Sequence, residues 1–252
     1  MEIKMRIICT VLIFFMLTIN NMPANAIGED TYSPLVLMYH RISDSEEKDA
    51  FTISAKEFEN DIKFLKEQGY IFLKAGEIEK HVNATKKSVV ITFDDGYESD
   101  YKIVLPILEK YNVVATFFII GSLIGKDGYL TASELKNLSR SDCVQIGNHS
   151  YSIHNLKFQD VKGMYFTAPD KIISDFELNR KHLKTITDND VTIVSYPYGL
   201  YGKYVDNELN KTGSITFSSD ENISKSSPFG RFNRSTDLSA EQIIKKLQNK
   251  QN

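Results

Sequence analysis

Ser88-Val89-Val90-Ile91-Thr92-Phe93-Asp94-Asp95-Gly96 puts two adjacent carboxylates where an apolar, β-type run stops. The run is rich in β-branched residues and reads as a buried strand that ends at the acids and the glycine behind them. Charged pairs are seldom buried without a partner, and α/β folds place their chemistry beyond the carboxyl ends of strands. Two like charges side by side cost free energy unless a cation neutralises one of them or they share a proton. The pair therefore asks for a metal.

Suitable ligands follow in Gly147-Asn148-His149-Ser150-Tyr151-Ser152-Ile153-His154-Asn155, again behind a strand-like stretch, Cys143-Val144-Gln145-Ile146. One carboxylate with two imidazoles is the facial three-ligand set of divalent metals that keep positions open for water and substrate. The other carboxylate is then free to act as a base. His149 and His154 are five apart, whereas side chains on one helical face are three or four apart, so they belong to a loop or irregular turn. Taken singly, a double Asp can cap a turn and two histidines can sit on a surface loop. Their joint occurrence behind two strands favours the metal site.

Strand and helix patterns alternate along the rest of the chain. Pro34 to His40 reads as strand, and Ser54 to Gln68 as an amphipathic helix with Phe58, Ile62 and Leu65 on one face, Ser54 as cap and Gly69 beyond its end. A short strand at Ile71 to Leu73 and a short helix at Ala75 to His81 precede the double-Asp strand. Beyond it come a helix near Tyr101 to Tyr111 interrupted by Pro106, a strand at Ala115 to Ile120, a helix at Thr131 to Leu138 and a strand at Val144 to Gly147. A longer helix at Pro169 to Thr185, a strand at Val191 to Tyr196, and the segments Asp206 to Lys211, Ser214 to Phe217 and Phe232 to Arg234 complete the rhythm, with a closing helix from Ser239. About seven such units predict an α/β fold: a distorted, incomplete (β/α)7-type barrel forming a single catalytic domain. Residues 155–168 lack clear periodicity and form either one wall of a substrate groove or a plain surface loop.

Lys4 and Arg6 precede the apolar run Ile7 to Ile19, and Ala24-Asn25-Ala26 offers a small-x-small cleavage site, so residues 1–26 read as a secretion signal and 27–252 as the working domain. An uncleaved signal anchor is the alternative. Cys9 falls in the leader and leaves Cys143 alone, which reads as a small buried apolar residue at a strand rather than a reactive thiol. Stability must then come from a core, for which 42% hydrophobic and 25% charged residues are ordinary. The formal charge of −3 becomes −4 without the leader's Lys4, Arg6 and Glu2, which argues against nucleic acid as a partner. Trp is absent, but 13 Tyr and 15 Phe can stack on sugars in its place.

Thr92-Phe93-Asp94-Asp95-Gly96, the two histidines and Tyr196-Pro197-Tyr198-Gly199 resemble the successive motifs of the carbohydrate esterase family 4 polysaccharide deacetylases, the NodB-homology domain. The resemblance implies a distorted (β/α) barrel in which Asp94 is the general base while Asp95, His149 and His154 hold the metal, usually Zn2+, with Co2+ or Ni2+ as substitutes. Three departures stand out. The histidines are five apart instead of four, Ser195 stands where the family pattern has Arg, and no Leu-x-His occurs near the C-terminus, His182 being the last histidine. All three resemble the poly-β-1,6-N-acetylglucosamine deacetylases of the staphylococcal intercellular-adhesion type, whose motif order is circularly permuted and whose catalytic His ends an early strand. Leu37-Met38-Tyr39-His40-Arg41 supplies it.

The resemblance thus implies His40 as the acid that protonates the departing amine, and the backbone N–H of Tyr198 as an oxyanion donor. It further implies a secreted or cell-surface protein, a monomer, acting on an N-acetylglucosamine polysaccharide. Peptidoglycan, chitin oligomers and acetylated xylan are alternative substrates, and a non-hydrolytic carbohydrate-binding protein on the same fold is a reading of another class. Arg231 and Arg234 either orient a carboxylate or sugar or form surface ion pairs.

Overall fold

The apolar runs become the strands of one sheet. In the computed structural model, which describes residues 31–45 and 49–251, the strands are β1 (Leu35–Tyr39), β2 (Arg41–Ile42), β3 (Thr52–Ile53), β4 (Ile71–Leu73), β5 (Ser88–Asp95), β6 (Ala115–Ile119), β7 (Val144–Asn148), β8 (Ile193–Ser195), β9 (Ile215–Phe217) and β10 (Phe232–Asn233). The helices are α1 (Ala55–Glu67), α2 (Leu105–Tyr111), α3 (Ala132–Leu138), α4 (Phe158–Thr167), α5 (Pro169–Thr187), α6 (Lys203–Lys211) and α7 (Ala240–Gln251). Tyr32–Asn252 is one compact unit. The leader reading of residues 1–26 lies outside the described residues. No helix among the described residues is long and apolar enough to cross a membrane.

The main sheet runs β10-β1-β5-β6-β7-β8-β9, with β4 beside the start of β5. Its pairings are parallel, so each return must cross the sheet, and helices make most of those crossings. β1, β5 and β6 are buried at every position, as a parallel sheet covered on both faces requires. Phe229 bridges Phe217 of β9, and three residues later Phe232 pairs with Leu37 of β1. The segment 229–233 therefore touches both edges of the curled sheet. The architecture is the expected incomplete (β/α) barrel.

Two apolar layers hold this shape. On the outer face Val89, Ile91 and Phe93 of β5 pack with Phe58, Ile62 and Leu65 of α1 and with residues of α2, α3 and α7. On the other face Val90 joins Val36, Phe118, Ile193, Phe217 and Phe229, together with Ala75 and Ile78 from the 3-10 helix at 75–81. α1 begins as its sequence suggests: Ser54 Oγ accepts from Glu57 N–H at 3.2 Å, and the Glu57 carboxylate accepts from Ser54 N–H at 2.8 Å.

Three local readings are revised. Residues 155–168 contain helix α4, but only Val161 is fully buried, so no apolar stripe marked it as a helix. Pro106 does not break its helix but falls in the first turn of α2, behind a π-turn over Asp100–Val104 whose last bond runs from Leu105 N–H to Asp100 O. Cys143, just ahead of β7, is half-buried instead of fully buried.

Candidate active site

Strict alternation along β5 would send Asp94 and Asp95 to opposite faces of the sheet. Thr92 and Asp94 point inward with Val90. Asp95 escapes the outer face because its φ is +81°, a left-handed conformation that non-glycine residues rarely adopt. Gly96 continues the turn at +82°. The strain at Asp95 brings both carboxylates to one pocket and is the kind of backbone distortion that clusters at functional sites.

Asp94 is held by the guanidinium of Arg231, one of the two arginines the sequence left between orienting a carboxylate and a surface ion pair. Arg231 Nη1 and Nη2 donate to its two carboxylate oxygens at 2.7 and 2.8 Å, a bidentate pair buried on both sides. Ser195 Oγ accepts from Arg231 Nη2 at 2.7 Å. So where the family pattern has Arg, the small Ser195 leaves room for an arginine arriving from the segment that joins the sheet edges. Burial pushes the Asp94 carboxyl up, but Arg231, His149 and the two guanidinium hydrogen bonds outweigh it and hold it well below the usual carboxylate range. The surface ion-pair alternative for Arg231 and Arg234 is overturned, because their exposures are 1% and 3%. Arg234 points the other way along the strand, onto Asp61 of α1 at 2.6 Å. Asp61 also accepts from the Tyr39 hydroxyl and from the N–H of Ala240 at the start of α7, which locks this segment to β1 and α1.

Asp95, His149 and His154 converge. Asp95 Oδ1 lies 3.6 Å from His149 Nε2 and 3.7 Å from His154 Nε2, and the three ligand atoms fall within 4.8 Å of one another. His149 Nδ1 faces the Ser195 carbonyl at 2.9 Å; a carbonyl can only accept, so the ring hydrogen sits on Nδ1 and Nε2 presents a lone pair. Burial, with His154 and Arg231 adding to it, pushes His149 down to about 4 despite the two carboxylates, so the ring is neutral at physiological pH. Asp95 Oδ1 is buried and has no hydrogen-bond partner among the described residues. An orphaned carboxylate oxygen facing ring nitrogens fits a divalent metal with bonds of about 2.0–2.2 Å, and the N/O donor set suits zinc, cobalt or nickel.

The five-residue spacing works because the chain turns at Ser150, whose φ is +71°. α5 holds that turn: Asp175 accepts from the N–H groups of Tyr151 and Ser152 and from Ser152 Oγ, and Asn179 donates to Asn148 Oδ1. His154 lies on a short 3-10 turn and stacks on Tyr198, with ring centroids 4.6 Å apart. The Tyr198 hydroxyl donates to the carbonyls of His154 and Leu156. Tyr198 itself is left-handed at φ +58°, as is Gly199, where a Cβ would collide with Ser219.

His40 stands just past β1 against the Phe51 ring at 4.9 Å, and its Nδ1 is buried without a partner among the described residues. It lines one cavity of about 510 Å³ together with Asp94, Asp95, His149, His154 and Tyr198. All six residues singled out in the sequence therefore meet. Asp61 and Asp175 were missed, because acids at these sequence distances carry no periodic signal, while Arg231, left open between orienting a carboxylate and a surface ion pair, takes the first role.

Asp100, behind the site, was also missed. It is fully buried with both oxygens unpaired among the described residues, and burial, then Asp95 and Asp94, push its carboxyl well above the usual range. A raised folded value means that Asp100 favours folding below the unfolded carboxyl value of about 4, and that this stability is lost as pH climbs toward the folded value. Asp100→Asn should therefore leave the melting temperature of the metal-free protein unchanged near pH 4 and raise it by roughly 2–4 °C at pH 8. Parallel melting curves across that range would refute a proton held at Asp100.

With the geometry in place, comparison with known proteins is informative. A family model for polysaccharide deacetylases matches residues 81–216. YxkH of Bacillus subtilis, which carries the polysaccharide deacetylase name, is 32% identical over 184 residues, 71% of this chain and 61% of its own length. A Staphylococcus aureus poly-β-1,6-N-acetyl-D-glucosamine N-deacetylase is 30% identical over 189 residues, 67% of this chain and 65% of its own. The match thus spans under two thirds of either relative. Among solved structures, IcaB from Ammonifex degensii superposes with a TM-score of 0.75 at 25% identity, covering 87% of this chain and 98% of that one. The Streptococcus pyogenes deacetylase PplD, solved with acetate, shares the fold with a TM-score of 0.73 at 21% identity, covering 86% and 98%.

Proposed function

Because the chain belongs to the polysaccharide deacetylase family, we propose that it removes N-acetyl groups from a cell-surface N-acetylglucosamine polymer, with poly-β-1,6-N-acetylglucosamine as the substrate. The observation that carries this is the convergence of Asp95 Oδ1, His149 Nε2 and His154 Nε2 beside an Asp94 kept ionised by Arg231. The early Tyr39-His40 and the similarity to the staphylococcal enzyme support the β-1,6 polymer. The leader-like start of the sequence supports action outside the cytoplasm.

An acetamide is an unactivated amide, so its hydrolysis needs a strong nucleophile, a stabilised oxyanion and a proton for the leaving nitrogen. A divalent metal held by Asp95, His149 and His154 supplies Lewis acidity and a water of lowered pKa. Asp94 accepts the proton of the attacking water, with Arg231 and Ser195 fixing the carboxylate's orientation. The backbone N–H of Tyr198 donates to the oxygen that gains charge. His40, as imidazolium, gives its proton to the nitrogen as the C–N bond breaks, releasing acetate and a free amine. Tyr198 and Phe158, edge to face at 5.8 Å, line one side of the cavity as apolar surface for a sugar ring.

The test is acetate release from β-1,6- and β-1,4-linked N-acetylglucosamine oligomers. Dialysis against a chelator should reduce it to background, and Zn2+ or Co2+ should restore it. Asp95→Ala, His149→Ala and His154→Ala should lose metal and activity together. Full activity after the metal is removed would overturn the assignment. Preference for the β-1,4 oligomer would keep the enzyme and replace its substrate.

A further inference from the structure

Strand alternation decides what the last strand shows to the cavity. Arg231 enters it to reach Asp94, whereas Phe232 packs into the outer core and Arg234 turns outward onto Asp61. Asn233, two residues beyond Arg231, shares Arg231's face and lines the same cavity as Asp94, His149 and His40. It is in register with Met38 of β1, two residues before His40. Asn233 thus belongs to the strand beside the one that carries His40, with Arg231 and Asp94 as neighbours on its own face.

The Asn233 amide oxygen, Oδ1, is buried and accepts no hydrogen bond from any described residue. A buried carbonyl without a donor carries an uncompensated desolvation cost, and a carbonyl oxygen can only accept. Whatever completes it must bring a donor. We propose that Asn233 Oδ1 accepts the N–H of the substrate's acetamido group and thereby selects an amide over an ester. This rests on the deacetylase reading above. An O-acetyl sugar presents an oxygen lone pair at that position, which would face Oδ1 without a hydrogen between them. As the proton from His40 arrives, ahead of C–N cleavage, the nitrogen keeps its N–H and gains positive character, which is lost again when the C–N bonding pair returns to it in the free amine. The bond to Asn233 therefore strengthens toward the transition state.

The experiment compares an N-acetylglucosamine oligomer with its 2-O-acetyl glucose counterpart, measuring acetate release by zinc-loaded wild type, Asn233→Ala and Asn233→Ser, with metal content and thermal melting recorded for each. Asn233→Ala should lower kcat/KM for the amide about tenfold and leave the ester within about twofold, with metal content unchanged. Asn233→Ser keeps an oxygen acceptor on a smaller side chain and should fall between, so the result does not depend on the alanine variant folding. Equal losses on both substrates, or no loss on either, would overturn the inference and leave the deacetylase reading standing. A wild type inert on both would sink that reading and the inference with it.

Discussion

Asp94→Asn should retain its metal and lose turnover by roughly a thousandfold, the scale on which a positioned base contributes. The amide keeps the size of the carboxylate and can still accept from Arg231, but it cannot take a proton from water. It is also less able to balance the buried guanidinium, now facing a neutral partner inside the barrel. Removing one member of a buried ion pair costs about 3–5 kcal/mol, so part of the loss will be stability. Metal content and a melting curve separate the two: a folded, metal-loaded and inactive variant identifies Asp94 as base. A near-normal rate would exclude it. Arg231→Leu is the complementary measurement. It strands the buried Asp94 charge, and turnover should fall with the metal still bound, because Arg231 touches Asp94, Ser195, Thr92 and the Ser218 carbonyl but none of the three ligand atoms.

His40→Ala should lower turnover on N-acetyl oligomers by roughly a hundredfold or more, leaving fold and metal content intact. An amine is a poor leaving group and must be protonated for the tetrahedral species to collapse forward, whereas an activated aryl acetate leaves without that help. The same variant should therefore lose far less activity on the aryl ester, which distinguishes a lost acid from a damaged site. His182→Ala is the control. Its ring meets Tyr151 edge to face at 5.6 Å on α5 and does not line the cavity, so it should be nearly silent. Reversed outcomes would move the acid away from the start of the chain.

These two residues show how differently the site was encoded. His40 and Asp94 each close a run of apolar residues, and β-strands in a parallel sheet announce themselves by such runs because both faces are buried. The same logic made α1 and its Ser54 cap legible, since an apolar stripe at helical spacing and a capping box are local features. The metal ligands followed from residue type at strand ends. α4 failed that logic because it buries almost nothing, and chemistry alone could not distinguish it from a loop.

The sequence by itself determined the alternation of strands and helices, the double carboxylate at the end of β5 and the two histidines behind β7, because each is written in neighbouring residues. Only the tertiary structure decided what those residues touch. Arg231 meets Asp94 across 137 positions, and Arg234 meets Asp61 across 173. Alternation says which face a side chain takes, but its partner depends on strand order. Here the order brings the segment 229–233 against both β9 and β1, and so delivers a guanidinium to the Asp94 carboxylate beside Ser195. The left-handed turn at Asp95 is of the same kind. It persists because the surrounding barrel, which brings Asp95, His149 and His154 face to face, over-determines it.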